Sequence, residues 1–247
     1  MYQRERLDSI MDILKKNGYV SVKYLTEELC YSNATINRDL NILEKQKLIK
    51  RSYGGVELIK QKGTPLVFRY HKMKSAKIKI AKAAAGFIND GDTVFIDGST
   101  TAQYMAQYIQ GKKNIKVITN NMALASYLSE YGIEVICLGG RVVEIPSMLG
   151  GDETVENAMK YLADKLFFAA SGASDNGEIY TGDMYYLLQK TMAKNSKEVF
   201  FLTDSGKINR TVSRILFDLN SVTHVISDYE FNDEIKSKYK AVSFIKV

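Results

Sequence analysis

Apolar residues in the first sixty positions recur at the three- and four-residue spacing of short amphipathic helices. The first helix is predicted to end at Asn17-Gly18, a pair typical of helix C-termini. Its apolar positions are Leu7, Ile10, Met11, Ile13 and Leu14. A second helix follows Ser21 and places Leu25 and Leu29 on one face.

A third helix is predicted to begin after Ser32, whose hydroxyl is suited to an N-cap. Its inward positions are Ile36, Leu40 and Leu43. The stretches Leu48-Ile49-Lys50-Arg51 and Val56-Glu57-Leu58-Ile59 then flank Tyr53-Gly54-Gly55, which is typical of a small hairpin. Three helices and a hairpin predict a winged helix-turn-helix domain, which we place at residues 1–60.

From residue 90 the pattern changes to short apolar runs separated by segments of helical length. The runs are Thr93–Ile96, Lys116–Ile118, Glu134–Leu138, Leu166–Ala170, Val199–Leu202 and His224–Ile226. Runs rich in β-branched and aromatic residues, alternating with helices, indicate a mostly parallel sheet covered on its faces. We therefore predict a larger C-terminal α/β domain at 75–247, joined to the first domain by a basic linker at 61–74.

Small and polar residues follow these runs, where the strands are predicted to end. In open α/β sheets, ligands bind beyond the carboxyl ends of the strands. Backbone N–H groups, hydroxyls and the cations Arg141 and Lys207 could together hold a phosphate there. The candidate effector-binding residues are Asp97, Gly98, Ser99, Thr100, Thr101, Thr119, Asn120, Asn121, Gly139, Gly140, Arg141, Asp204 and Lys207.

The net charge of +6 is concentrated in the first third of the chain. Residues 1–60 carry +3, residues 61–82 carry +7 and the remainder carries −4. Such asymmetry favours a polyanionic partner for the N-terminal end. The basic residues of the linker could follow DNA between half-sites or neutralise the acidic second domain.

The polar side of the third helix is suited to double-stranded DNA. Asn and Arg at the start of such a helix can read base edges in the major groove, while wing cations contact phosphates. The candidate DNA-binding residues are Ser32, Asn33, Thr35, Asn37, Arg38, Lys45, Lys50, Arg51 and Tyr53. A small protein-interaction module with a polar surface is the alternative.

The segment 32–40, followed by Leu43-Glu44 and Tyr53-Gly54-Gly55-Val56, resembles the recognition helix and wing of the DeoR family of regulators. The C-terminal half is similar to the effector domain of that family, which is related to sugar-phosphate isomerases and CoA transferases. The matching landmarks are Asp97–Thr101, Thr119–Asn121, Leu138–Gly140, Gly150, Asp164, Phe167, Gly172, Met192, Asp204 and Lys207. The resemblance implies a repressor of a sugar-catabolism operon that responds to a phosphorylated sugar.

The chain departs from the family pattern at four positions. The family usually has Arg at Asn37 and His at Tyr53, so the preferred operator is expected to differ. An acid and a Lys of the family are replaced by Tyr185 and Gln189, unless the alignment slips by one and places Lys190 in the role. If the departure holds, the sugar end of the pocket is less polar than usual.

Two other functions remain open from the sequence. An isomerase-like enzyme would need an acid or base, for which Asp97, Asp175, Asp183 and Asp204 are the candidates. An architectural DNA binder would use its second domain only to oligomerise. We expect a cytoplasmic homo-oligomer, dimer or tetramer, without catalysis, cofactor, metal or membrane span, and we expect Cys30 and Cys137 to be buried thiols.

Overall fold

The chain divides into two compact units, Met1–His71 and Lys72–Val247, each described here by itself. The structure is a computed structural model and describes residues 3–46, 48–52, 55–59, 69, 72–144 and 147–247. No helix among these residues is long and apolar enough to cross a membrane.

The N-terminal unit has the three helices and the hairpin that the sequence predicts. Its elements are α1 (Gln3–Asn17), β1 (Tyr19–Ser21), α2 (Val22–Leu29), α3 (Asn33–Lys45), β2 (Ile49–Ser52) and β3 (Gly55–Leu58). The strands form an antiparallel sheet in the order β1-β3-β2. The short strand β1 was not predicted, because three residues are too few to show a period.

The core of this unit is a single apolar cluster. Its fully buried members include Ile10, Leu14, Leu25, Ile36 and Leu40, which come from all three helices. Each helix therefore buries the stripe that its sequence pattern marks.

The C-terminal unit begins with a long helix and then alternates strands with helices. Its elements are α4 (Lys74–Ala85), β4 (Thr93–Ile96), α5 (Thr100–Gln103), α6 (Ala106–Ile109), β5 (Lys116–Thr119), α7 (Met122–Glu130), β6 (Glu134–Cys137), β7 (Arg141–Glu144), β8 (Met148–Gly150), α8 (Asp152–Met159), β9 (Ala163–Phe168), β10 (Gly172–Ala173), β11 (Glu178–Thr181), α9 (Asp183–Lys194), β12 (Ser196–Thr203), β13 (Arg214–Asp218), β14 (His224–Ser227), α10 (Asp233–Lys238) and β15 (Ser243–Lys246). Short 3₁₀ helices lie at Ser205–Lys207 and Leu219–Ser221.

Seven of these strands form one parallel sheet in the order β15-β14-β12-β9-β4-β5-β6. Strands β5 and β6 are added in turn on one side of β4. Strands β9, β12, β14 and β15 are then added in turn on the other side. The strand order thus reverses between β4 and β9. In doubly wound sheets this reversal opens a crevice at the carboxyl ends of the two strands, where ligands bind.

Both faces of the large sheet are buried, and alternate residues of each strand serve opposite cores. Phe95, Phe168 and Phe201 belong to one cluster, while Phe167 and Phe200 belong to the other. Helices α4 to α7 cover the second face, and α8 to α10 cover the first. A sheet covered on both sides exposes only its ends, so the loops at those ends are the available positions for a ligand.

The prediction of two buried thiols is wrong, since Cys30 and Cys137 are both exposed and free. Cys30 ends α2 in a left-handed conformation with φ of 57°, which turns it out of the helix. Cys137 is the last residue of β6, which is an edge strand of the large sheet.

Candidate functional site

The recognition helix α3 is capped and oriented by residues at its start and its buried side. Ser32 is the N-cap, and its hydroxyl oxygen accepts a hydrogen bond of 3.2 Å from the Thr35 N–H. Asp39, fully buried, is paired with Arg6 of α1 through both of its oxygens. The Arg6 guanidinium lies 4.8 Å from the centre of the Tyr31 ring, and its bond to Asp39 raises the pKa of Arg6.

The predicted DNA-binding residues differ in how much of their side chain is available. Asn33, Arg38, Lys45 and Lys50 are exposed. Asn37 and Arg51 are half-buried and bonded to each other, because the Arg51 Nη1 donates to Asn37 Oδ1 at 3.0 Å. Tyr53 lies outside the described residues. Apart from Arg51, whose terminal nitrogens are bonded to α3, these side chains remain predicted DNA contacts.

In the C-terminal unit, Asp97 occupies the reversal point of the sheet. Its side chain is buried and accepts hydrogen bonds from the N–H groups of Ser99 (3.1 Å) and Ala169 (3.3 Å). Ala169 directly follows β9, so the carboxylate ties together the ends of β4 and β9. Burial raises the pKa of Asp97, although these hydrogen bonds and one from Gln189 oppose the shift.

Gln189 of α9 is bonded to both Asp97 and Ala169, the residues that follow β4 and β9. Its Nε2 donates to Asp97 Oδ2 at 3.1 Å and to the Ala169 carbonyl at 3.0 Å, while its Oε1 accepts from the Thr181 hydroxyl at 2.7 Å. Gln189 is buried among these polar partners, and the less polar sugar end of the pocket stays a prediction. Tyr185, one turn earlier on α9, is half-buried.

A buried lysine of α4 contacts the turn that follows β4 at the carboxyl edge of the sheet. Lys77, only 2% exposed, lies in the first turn of α4, and its Nζ is 3.0 Å from Thr100 Oγ1. The sequence prediction omitted Lys77, although its position on the buried stripe of α4 with Ala81 and Ala84 was a signal. A lysine on an apolar stripe requires a polar partner inside the fold.

Thr100 belongs to a turn with unfilled hydrogen-bonding capacity. Ser99 caps α5, and its Oγ accepts from the Ala102 N–H at 3.2 Å. Thr101 is fully buried, and its Oγ1 has no hydrogen-bond partner among the described residues. Helix α5 has four residues, so an anion here would depend on Lys77 and hydroxyls more than on a helix dipole.

The loop after β5 contributes a second buried oxygen without a partner. Asn120 is 1% exposed, and its Nδ2 donates to the Leu149 carbonyl at 2.9 Å. Its Oδ1 accepts no hydrogen bond within the described part of the chain. Asn121 is the N-cap of α7, and the Thr119 hydroxyl accepts from the Asn121 N–H at 3.1 Å, so these two neighbours have local roles. A Cβ on Gly98 would lie 3.2 Å from Asn120 Nδ2, which places the loops after β4 and β5 in contact.

The loop after β6 is explained largely by packing. A Cβ on Gly140 would lie 2.1 Å from Thr154 Oγ1, and its φ of +102° also favours glycine. The Thr154 hydroxyl donates to the Gly139 carbonyl at 2.7 Å. Arg141 is exposed at the start of β7. The loop follows the edge strand β6, two strands away from β4, so Arg141 and both glycines stay predictions.

The loop after β12 supplies a buried carboxylate. Asp204 is 2% exposed, and its Oδ2 lies 3.9 Å from the Lys207 Nζ and has no hydrogen-bond partner in the described regions. A Cβ on Gly206 would lie 3.1 Å from Asp204 Oδ1 and 3.3 Å from the Met73 Cγ. The start of α4 therefore lies against this loop and, through Lys77, against Thr100.

In the part of the chain that the structure describes, no three His, Cys, Asp or Glu side chains are grouped so that they could hold a metal ion.

Comparisons with known proteins match both units. Residues 6–62 match the DeoR-like helix-turn-helix domain, and residues 72–229 match the DeoR C terminal sensor domain. The HTH-type transcriptional repressor GlcR of Bacillus subtilis (strain 168) is 33% identical over 231 residues, covering 92% of this chain and 89% of that protein. The lactose phosphotransferase system repressor of Lactococcus lactis subsp. lactis is 34% identical over 217 residues, covering 85% of each.

Among solved structures, ribose 5-phosphate isomerase A of Methanocaldococcus jannaschii is 17% identical, with a TM-score of 0.41 over 55% of this chain and 54% of that one. Both domain matches and the two curated relatives lead to one conclusion. The chain belongs to the DeoR family and is a DNA-binding transcriptional regulator.

Proposed function

We propose that the protein represses a sugar-catabolism operon and that a phosphorylated sugar bound at the carboxyl edge of the large sheet lowers its affinity for the operator. The relatives named as repressors support the first part. The contact between Lys77 and Thr100, with unpartnered oxygens on Thr101 and Asn120 close by in the fold, supports the second.

The chemistry of this edge suits a phosphate attached to a polyhydroxylated body. The Lys77 ammonium and the Thr100 hydroxyl are donors for phosphate oxygens. The unpartnered Asp204 Oδ2 and Asn120 Oδ1 are acceptors, which suit sugar hydroxyls. Buried polar atoms without partners are rare in native proteins, and a ligand that satisfies them gains binding energy.

Effector binding would change operator affinity only if the effector binds two arrangements of the protein unequally. We assign the DNA-binding role to residues 1–60, a linker role to 61–74, and effector binding and self-association to 75–247. Two copies of a homo-oligomer would read a repeated or palindromic operator on cytoplasmic DNA. The molar mass of the purified protein in solution, compared with that of one chain, tests whether it forms a homo-oligomer.

We assign no catalytic step to this edge. An isomerase would need an acid or base that reaches substrate, and the most central carboxylate, Asp97, accepts from three donors of the fold. Conversion of a bound sugar phosphate to its aldose or ketose isomer, followed by nuclear magnetic resonance, would overturn this assignment.

The decisive experiment is thermal unfolding of the full chain with a panel of sugar phosphates and the corresponding unphosphorylated sugars. A ligand at a hundred times its dissociation constant stabilises the native state by about 2.7 kcal/mol, which raises Tm measurably. We expect a shift with one phosphorylated sugar and none with its parent. No shift with any compound would overturn the proposed effector class.

Variants locate the site. Lys77→Met is expected to abolish the shift, while Lys79→Met, an exposed lysine on the same helix, keeps it. Lys207→Ala is expected to abolish the response to effector and leave operator binding intact. Unchanged induction in that variant would remove Lys207 from the site.

A further inference from the structure

The wing strand β2 and the recognition helix α3 are joined by one arginine. Arg51 lies in the middle of β2, and both of its terminal nitrogens point to the helix. Nη1 donates to Asn37 Oδ1 at 3.0 Å, and Nη2 donates to the Asn37 carbonyl at 3.0 Å and to Asn41 Oδ1 at 2.8 Å. The Arg51 Nε lies 3.5 Å from Glu44 Oε2.

These partners lie on one side of the helix, because positions 37, 41 and 44 are four and three residues apart. The Arg51 side chain is 32% exposed, and its charge is partly balanced by Glu44. Three of the five guanidinium N–H groups are bound by the helix, and the Nε is buried without a hydrogen bond to any described residue, so little of the guanidinium is left for a DNA phosphate.

The network continues from Asn37 to the first residue of the helix. The Asn37 Nδ2 donates to the Asn33 carbonyl at 2.9 Å and also contacts Asn33 Oδ1. Asn33 is exposed at the N-terminus of α3, the end that enters the major groove in helix-turn-helix proteins. The side chain of Asn33 is therefore oriented by Asn37, which is itself oriented by Arg51.

We infer that Arg51 is a positioning residue for sequence recognition and does not bind a DNA phosphate. It holds Asn37 and Asn41 on the recognition helix and so fixes the rotamer of Asn33, while phosphate binding is left to other wing and helix cations such as Lys50. Loss of Arg51 then relaxes discrimination between DNA sequences without removing a phosphate contact.

The two roles differ in salt dependence. Each phosphate contact contributes about 0.9 to the slope of log affinity against log salt concentration. Removing a phosphate contact lowers that slope by about one and weakens binding to all sequences alike. Removing a positioning residue leaves the slope unchanged and weakens only the preferred sequence.

The experiment uses the full chain, a duplex selected by the wild-type protein from a randomised pool, and a random-sequence duplex of equal length. Binding is measured at several salt concentrations for the wild type, Arg51→Ala, Arg51→Lys and Lys50→Ala. Lys50→Ala is the matched control, since it removes one exposed cation from the same strand.

For Arg51→Ala we expect the affinity ratio of selected to random duplex to fall about tenfold or more, with the salt slope of the wild type. Arg51→Lys keeps the charge but not the planar set of donors, so its affinity ratio of selected to random duplex is expected to fall by the same factor. If Arg51→Ala does not fold, Arg51→Lys tests the inference in its place. Asn37→Ala is expected to give a similar loss that does not add to that of Arg51→Ala.

A salt slope lowered by about one in Arg51→Ala, with equal weakening on both duplexes, would overturn the inference. Wild-type discrimination in Arg51→Lys would overturn it as well, because a point charge would then suffice.

Discussion

Gln189 Nε2 donates a hydrogen bond of 3.1 Å to Asp97 Oδ2 across 92 positions of sequence. The same nitrogen donates to the carbonyl of Ala169, so one amide joins α9 to the ends of β4 and β9. These are the two strands between which the sheet order reverses. The most central polar contact of the candidate effector site is therefore also a structural contact of the sheet.

Gln189→Ala is expected to lower the free energy of unfolding by about 2 kcal/mol or more. The substitution removes one of the donors to Asp97, the side-chain donor to the Ala169 carbonyl and the acceptor of the Thr181 hydroxyl, and a buried polar group left unsatisfied costs about 1–3 kcal/mol. Leu187→Ala is the control, since Leu187 is 58% exposed on the same helix. Urea unfolding measures both, and equal stability of the two variants would contradict the prediction.

Arg38→Ala is expected to weaken binding to the selected duplex by about 1–3 kcal/mol, because an exposed arginine on the recognition helix is free to read a base. Titration of the protein into labelled selected and random duplexes measures the effect. Equal loss on both duplexes would show that Arg38 contacts only phosphate.

Arg6→Ala is expected to destabilise the N-terminal unit by about 3 kcal/mol, since it leaves the Asp39 carboxylate buried without its partner. Replacing both residues with apolar ones is expected to cost less than the single change, because no buried charge then remains. Thermal unfolding followed by circular dichroism tests this. A double variant less stable than Arg6→Ala would contradict the explanation.

Lys197→Met is expected to lower Tm at pH 7 and to have a progressively smaller effect as the pH falls below about 4. The Lys197 Nζ lies 2.7 Å from Asp164 Oδ1, and together with the Thr93 N–H it lowers the pKa of Asp164. A carboxylate with a lowered pKa contributes stability above its ordinary pKa of about 4 and loses it as the pH falls through its folded value.

Calorimetry between pH 2.5 and pH 7 measures the difference in Tm, with Lys194→Met, an exposed lysine at the end of α9, as the control for loss of a surface charge. A difference that does not shrink as the pH falls below about 4 would show that Lys197 acts on another group.

Periodicity was sufficient to predict the three N-terminal helices, the wing and six of the seven strands of the parallel sheet. Most of these strands were predictable because they are buried on both faces and therefore read as continuous apolar runs, whereas the edge strand β6 is only half-buried. β15 was missed because it has only two apolar residues, Phe244 and Ile245, which are flanked by the exposed Ser243 and Lys246. The antiparallel strands β10, β11 and β13 were also missed, although β11 and β13 are as long as strands that were predicted.

The candidate site was only partly predictable, since a sequence shows where strands end but not which side chains meet. Asp97, Thr100, Asn120 and Asp204 were predicted from the polar edge, and the structure places each at the end of a parallel strand. Lys77 lies on a different element, and its approach to Thr100 depends on how α4 packs across the sheet. The bonds of Arg51 to α3 depend in the same way on tertiary geometry.

The double covering of the parallel sheet has a consequence for how such regulators diversify. A substitution within a strand disturbs one of two close-packed apolar layers, whereas polar residues of the turns at the carboxyl edge, such as Ser99 and Asn120, belong to neither. Under the proposed function, changes of effector specificity would therefore accumulate in these polar turn residues at little cost to foldability. Regulators with this fold could then respond to different effectors if substitutions were confined to the turns and the two apolar layers were kept.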